Sequence, residues 1–162
     1  MKYLKILAVI ILLSSCSMQT FYVVRHAEKD GSTDEAGLTA AGIERAVALE
    51  KYLSDKKLDT VFTSNIRRTI LTGLSVALPQ SIPQVPLKQS PQEELNNFIG
   101  RLKNIHSNKN ILVVGHSNTV AVIVQALSGQ QIPAIAETVY NNLYIVTVKG
   151  KDVTLVHTTY GR

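Results

Sequence analysis

The sequence predicts an α/β fold, a three-layer sandwich whose mostly parallel central sheet is covered by helices on both faces and closed by a C-terminal hairpin. Three observations lead there. Short apolar runs rich in β-branched and aromatic residues, Phe21-Tyr22-Val23-Val24, Thr60-Val61-Phe62-Thr63 and Ile111-Leu112-Val113-Val114, have the length of buried strands. Stretches with helical spacing lie between and after them. Leu143 to Val148 and Val153 to His157 flank Gly150 as a hairpin, which adds at least one antiparallel strand.

The elements follow in order. Lys2 and Lys5 form a basic start, and Ile6 to Leu13 is apolar but too short to span about 30 Å of bilayer as a helix. Leu13-Ser14-Ser15-Cys16 then resembles a bacterial lipoprotein signal, with Cys16 as the lipidated new N-terminus. The alternatives are an ordinary secretory signal with an incidental cysteine, or a short buried strand. Residues 1–15 are therefore expected to be a signal peptide, 16–19 a short tether and 20–162 a single domain. After the strand at Phe21, a polar loop from Lys29 to Gly37 carries turn signals. Thr39 is placed to cap a helix to about Leu53, with Ile43, Ala46, Val47, Leu49 and Leu53 at helical spacing. Ser64 or Asn65 is placed to cap the next helix, from Ile66 to about Leu78, ended by Pro79. Gln84-Val85, between Pro83 and Pro86, is a loop or short edge segment. Ser90-Pro91-Gln92-Glu93 opens a helix that buries Leu95, Phe98, Ile99 and Leu102. A last helix runs from Thr119 to Leu127, with Gly129 placed to end it.

Composition bounds the function. Removing fifteen residues leaves 147 of 162, enough for one hydrophobic core. Cys16 is the only cysteine, so packing alone must hold the domain. The formal charge is +5, and without Lys2 and Lys5 it is +3, from 15 basic and 12 acidic residues. That mild bias suits an anionic substrate or a membrane surface. It is not a nucleic-acid signature, because no dense basic stripe or interleaved aromatic platform is present. The four histidines, His26, His106, His116 and His157, have no metal-ligand spacing, so no metal and no cofactor are expected.

The candidate chemistry sits at strand ends, where open α/β sheets bind ligands. The first strand ends in Arg25-His26-Ala27-Glu28. The one at Ile111 ends in Gly115-His116-Ser117-Asn118, where the glycine lets backbone approach a ligand closely. The strand between them leads into Ser64-Asn65-Ile66-Arg67-Arg68-Thr69. An imidazole is a nucleophile toward phosphorus, and arginines grip phosphoryl oxygens through paired hydrogen bonds. Two histidines and two or more arginines at strand-to-helix junctions describe a site for a dianion.

With Leu38-Thr39-Ala40-Ala41-Gly42, these motifs resemble the histidine phosphatase (phosphoglycerate mutase-like) superfamily, in the family's order and over nearly the whole chain after about Thr20. The resemblance implies a phosphohistidine on His26 and a phosphate pocket of Arg25, Arg68 and His116. Arg68 is preferred to Arg67 because the family's spacing from Ser64 lands there. It implies a metal-independent phosphatase acting on small phosphomonoesters or phosphoramidates, with mutase-type phosphotransfer and a non-catalytic phosphate-binding lipoprotein as alternatives. The chain is short between Thr72 and Ile111 for a mutase's covering insertion, which favours water as the acceptor. The general acid stays open among Glu28, Glu93, Glu94 and Glu137. The expected address is the bacterial cell envelope, on a membrane through the Cys16 lipid, with no nucleic-acid partner.

Overall fold

The computed structural model describes residues 18–87, 92–105 and 108–161. Its elements are β1 (Met18–Arg25), α1 (Ala40–Leu53), β2 (Thr60–Ser64), α2 (Arg67–Gln80), β3 (Gln84–Leu87), α3 (Gln92–Asn104), β4 (Asn110–Gly115), α4 (Ser117–Ser128), β5 (Asn142–Lys149) and β6 (Asp152–Thr159). The six strands form one sheet in the order β3-β2-β4-β1-β5-β6. The pairs β3–β2, β2–β4 and β4–β1 are parallel, whereas β5 runs antiparallel to both β1 and β6. This is the mixed, three-layer sandwich with a closing hairpin that the sequence predicts.

β1 lies between β4 and β5 and is covered on both faces, which is why its apolar run is continuous rather than alternating. Phe21 and Val23 face one layer with Ile111 and Val113, against Phe98 and Leu102 of α3 and Val120, Ile123 and Val124 of α4. Tyr22 and Val24 face the other with Leu112 and Val114, against Leu49 and Leu53 of α1 and Val76 and Ala77 of α2. Each such side chain, fully buried, contributes about 1.5–3 kcal/mol. Gly129, with φ 74°, ends α4. Among the described residues no helix is long and apolar enough to cross a membrane.

Several expectations shift. Met18 and Gln19, expected in the tether, are the first residues of β1, and Gln19 is buried. Cys16 and residues 1–15 lie outside the described residues, as does Ser90-Pro91 of the expected cap. Thr39 does cap α1, its hydroxyl accepting from the Gly42 N–H at 3.0 Å. The buried face of α1, however, is Gly42, Ala46, Leu49 and Leu53, while Ile43 and Val47 are 56% and 44% exposed. Gly42 sets that phase: a Cβ there would stand 2.2 Å from the Glu28 carbonyl oxygen, so only glycine lets the helix lie on that loop. α2 is preceded by Ile66 with no side-chain cap, because Ser64 belongs to β2 and spends its hydroxyl elsewhere. Pro79 lies inside α2 rather than ending it. Its fixed φ is helical, and in the last turn its missing N–H costs a single bond. Gln84-Val85 is part of β3, an edge strand, where Pro86 is tolerated.

Candidate active site

The parallel pairing of β1 with β4 sets Arg25 opposite Gly115, so His26 and His116 leave the sheet side by side. The His26 N–H donates to the Gly115 carbonyl at 2.9 Å, and the two imidazole centroids are 5.3 Å apart. β2 lies on the far side of β4 and delivers Ser64, and the first turn of α2 delivers Arg68. Arg68 is 9% exposed and its Nε donates to His26 Nε2 at 3.2 Å. Its Nη1 donates to the Thr33 carbonyl at 3.2 Å and lies 3.9 Å from Asp34. Arg67, one residue earlier and about 100° around the helix, is exposed.

The partners fix the tautomers. His26 Nδ1 stands 2.7 Å from the Ala27 carbonyl, which only accepts, so Nδ1 carries the proton. Nε2 faces the Arg68 N–H and therefore presents its lone pair. At His116 the count runs through hydroxyls. Thr69 Oγ1 gives its hydrogen to the carbonyls of Ile66 (2.7 Å) and Ser64 (3.0 Å), so it accepts from Ser64 Oγ at 2.7 Å. Ser64 Oγ, its one hydrogen spent, then accepts from His116 Nε2 at 2.9 Å, which places the proton on Nε2. His26 is thus an acceptor toward the site and His116 a donor.

Both rings stay neutral. Burial pushes the His26 imidazole down to about 3, helped by the charges of His116, Arg25 and Arg68 and opposed by the Ala27 carbonyl. Burial, then Arg68 and Arg25, pushes His116 down to about 4.

Arg25 is 2% exposed. Its Nη1 donates to the carbonyls of Ala136 (3.0 Å) and Val139 (3.2 Å), its Nη2 to Glu137, and its guanidinium stacks 4.2 Å over the Tyr140 ring. Its Nε is buried with no hydrogen-bond partner among the described residues. An orphaned buried donor on a cation is costly unless something anionic meets it. Thr72 holds the backbone beyond His26, accepting from the Ala27 N–H at 3.0 Å and donating to the Arg68 carbonyl at 2.8 Å.

His26, His116 and Arg68 are therefore in direct or near contact, with Arg25 alongside. The acids are distributed differently. Glu28 is engaged by Arg45 of α1 through contacts of 2.6–2.8 Å and ties the loop to that helix. Glu137 is shared by Ser117 and Arg25, and the Ser117 hydrogen bond, more than the Arg25 charge, holds its carboxyl below the usual range. It is therefore an anion at neutral pH. The side chains of Glu93 and Glu94 lie outside what the structure describes. Sequence reasoning passed over Ser64 as a His116 partner, Tyr140 as the platform for Arg25, and Thr33 and Asp34 beside Arg68. Only Ser64 carried a local signal, its place at a strand end. Gly115 also has another use: a Cβ there would lie 2.8 Å from Thr119 Oγ1, so the space admits the start of α4 rather than a ligand. Thr119 Oγ1 in turn accepts the His116 N–H at 2.9 Å. Among the described residues no group of three or more His, Cys, Asp or Glu is placed to hold a metal ion.

Residues 21–92, from β1 to the start of α3, match the histidine phosphatase superfamily (branch 1). The match takes in 72 of the 162 residues, and over that segment the chain is similar to the histidine phosphatase superfamily. Solved structures share the fold over most of the chain, well beyond the matched segment. The alpha-ribazole phosphatase from Shigella flexneri superposes with a TM-score of 0.68 at 19% identity, covering 86% of this chain and 96% of that one. The protein histidine phosphatase SixA complexed with tungstate gives 0.66 at 19% identity, over 86% and 96%. A phosphoserine phosphatase variant from Entamoeba histolytica, in complex with phosphoserine, gives 0.65 at 14% identity, over 88% and 96%. No curated protein sequence matches the chain at significance. In this fold, His26 and His116 stand just past the C-terminal ends of the adjacent parallel strands β1 and β4.

Proposed function

We propose that this protein is a member of the histidine phosphatase superfamily, a metal-independent phosphatase that hydrolyses phosphomonoesters or phosphoramidates through a phosphohistidine on His26. The observation that carries the reading is the Nε2 lone pair of a buried, neutral imidazole held against the Arg68 guanidinium, with the charge of Arg25, whose buried Nε has no partner among the described residues, acting on the same ring. Nε2 attacks phosphorus while the bond from phosphorus to the leaving oxygen or nitrogen breaks, and the leaving group takes a proton. The ring then carries positive charge, and its Nδ1–H bond to the Ala27 carbonyl strengthens. Water attacks the phosphohistidine, phosphate departs, and His26 returns to its neutral form. Negative charge spread over the transferring phosphoryl oxygens is met by buried donors, Arg68 and the Arg25 Nε–H, joined by the His116 Nε2–H once it turns from Ser64 to a phosphoryl oxygen. Glu28 and Glu137 are both committed to arginines, which favours leaving groups that need little protonation.

Brief incubation with radiolabelled phosphoramidate or an aryl phosphate, quenched in alkali, is expected to leave acid-labile label on the protein. His26→Ala should carry none and lose roughly a thousandfold or more in turnover. Label that persists in His26→Ala would overturn the assignment. Release of phosphate to water, rather than its return to an added alcohol, separates hydrolysis from mutase-type transfer.

The same reading includes a lipid anchor at Cys16 in a bacterial envelope. It is supported by Leu13-Ser14-Ser15-Cys16 and by the start of β1 only two residues later.

A further inference from the structure

β1, β2 and β4 run in parallel toward the candidate site, and the helices between them run back. The turns before these strands, the last turns of α1 and α3, and the β5–β6 hairpin therefore meet at the opposite edge of the sheet. Met18 pairs with Lys149 there, and the Asn108 N–H donates to the Met18 carbonyl at 2.8 Å. The turns and hairpin of this edge present Lys56, Lys57, Lys109, Lys149 and Lys151 against Asp55, Asp59 and Asp152. Lys56 pairs with Asp55 at 3.0 Å and Lys109 with Asp59 at 2.7 Å, while Lys57, Lys149 and Lys151 are exposed. The last turns of α1 and α3 add Lys51, Arg101 and Lys103 against Glu50. Lys29 is the one lysine of the described residues at the site end. Besides Arg67, that end exposes mainly acids: Asp30, Asp34 and Glu35 in the loop after β1, and Glu137.

The chain also enters at the lysine edge. Only Ser17 lies between Cys16 and Met18, two residue steps, at most about 7 Å of extended backbone. A lipid on Cys16 thus holds this edge within a Debye length, about 8 Å, of the headgroups. We propose that the lysine edge lies on anionic bilayer lipids and holds the candidate site facing away, into the aqueous compartment. The inference rests on the anchor reading above for its geometry, and on the charge distribution for its lipid preference. An eight-residue strand at about 3.3 Å per residue sets the site roughly 25 Å above the surface. Substrates then arrive from water and are not phosphates of the underlying headgroups.

The test reconstitutes the full-length chain, purified from expressing membranes, on phosphatidylcholine vesicles with or without phosphatidylglycerol. Lysine acylation is read residue by residue by mass spectrometry. Lys57, Lys109, Lys149 and Lys151 should react about fivefold more slowly or less on the anionic vesicles, and high salt should erase the difference. Lys29 should react equally on both. Equal rates for the edge lysines would overturn the proposal. So would protection of Lys109 that survives in Lys57→Glu/Lys149→Glu/Lys151→Glu. If the wild type carries no lipid, or Cys16→Ser stays in the membrane equally well, the anchor reading fails by itself. The edge is then tested by sedimenting the unlipidated chain with the same vesicles. A fivefold or greater preference for phosphatidylglycerol that the triple variant loses sustains it, and no preference ends it.

Discussion

Both ends of the sheet are rich in cations, yet at one end they are arginines held inside the protein and at the other lysines left in water. Arg25 and Arg68 are almost wholly buried, each oriented by backbone carbonyls, and Arg68 leans on the His26 ring. Lys57, Lys149 and Lys151 are exposed on turns and a hairpin. A planar guanidinium can be fixed by several acceptors and still offer a donor to an anion, whereas a solvated ammonium on a flexible stem acts as a mobile point charge. The first arrangement suits the directional demands of a reacting phosphoryl group. The second suits a surface whose charges have no fixed positions. The contrast shows where residue identity matters and where only charge does.

The strongest way to break the comparison is Arg68→Ala. Loss of one preorganised donor to developing charge is expected to lower turnover about a hundredfold to a thousandfold. The variant should remain folded, and Arg67→Ala, on the exposed neighbour, should leave activity nearly unchanged. Arg68→Lys should recover little, because an ammonium cannot reproduce a contact to Thr33 and one to the site with a single planar group. Steady-state kinetics with an aryl phosphate decide it. A crippled Arg67→Ala beside an active Arg68→Ala would show that the buried guanidinium is structural.

That pair of arginines also shows how far the sequence could be read. Strand ends are legible because buried apolar runs are short and stop abruptly at Arg25-His26 and Gly115-His116. Their meeting follows from parallel neighbours in one sheet. The choice of Arg68 over Arg67 came from the resemblance, whose spacing counted from Ser64 lands there. What escaped depends on contacts far apart in the chain. Tyr140 and the Ala136 and Val139 carbonyls reach Arg25 across more than a hundred residues, and no local pattern announces them. The phase of α1 was misjudged because spacing identifies an apolar stripe without saying that Gly42, which lacks a side chain, marks its centre. Gly115 was legible as a close approach, but not as one made by Thr119.

A second test sharpens the contrast through pH. His26 and His116 are held at about 3 and about 4, below the ordinary value near 6.5. Below that ordinary value the unfolded chain binds protons that the native state refuses. The histidines' contribution is therefore fully present above pH 6.5 and declines as pH falls toward 4. Each histidine adds a slope of up to about 1.4 kcal/mol per pH unit in that window. Thermal melts from pH 7.5 to 4.5 should show falling stability, and His26→Gln and His116→Gln should each flatten the curve. Melts unchanged between pH 7 and pH 5 would mean that the two rings are solvated and that the pocket is wet.

The smallest effect is expected at the lysine edge, and its smallness is the point. Lys57→Glu and Lys151→Glu alter side chains on a turn and a hairpin, at the far end of the sheet from His26. At that separation, several Debye lengths at physiological salt, a reversed surface charge is screened from the pocket. Turnover of a small soluble phosphate ester should therefore match wild type in detergent solution, as should the melting temperature. The same variants on anionic vesicles should differ from wild type only in how the protein sits. A fall in kcat with the soluble ester would mean that the two ends are coupled through the sheet and that the lysines contribute to the pocket's field. Unchanged kcat combined with altered lysine protection would separate a chemical end, which depends on exact donors, from a docking end, which depends on net charge.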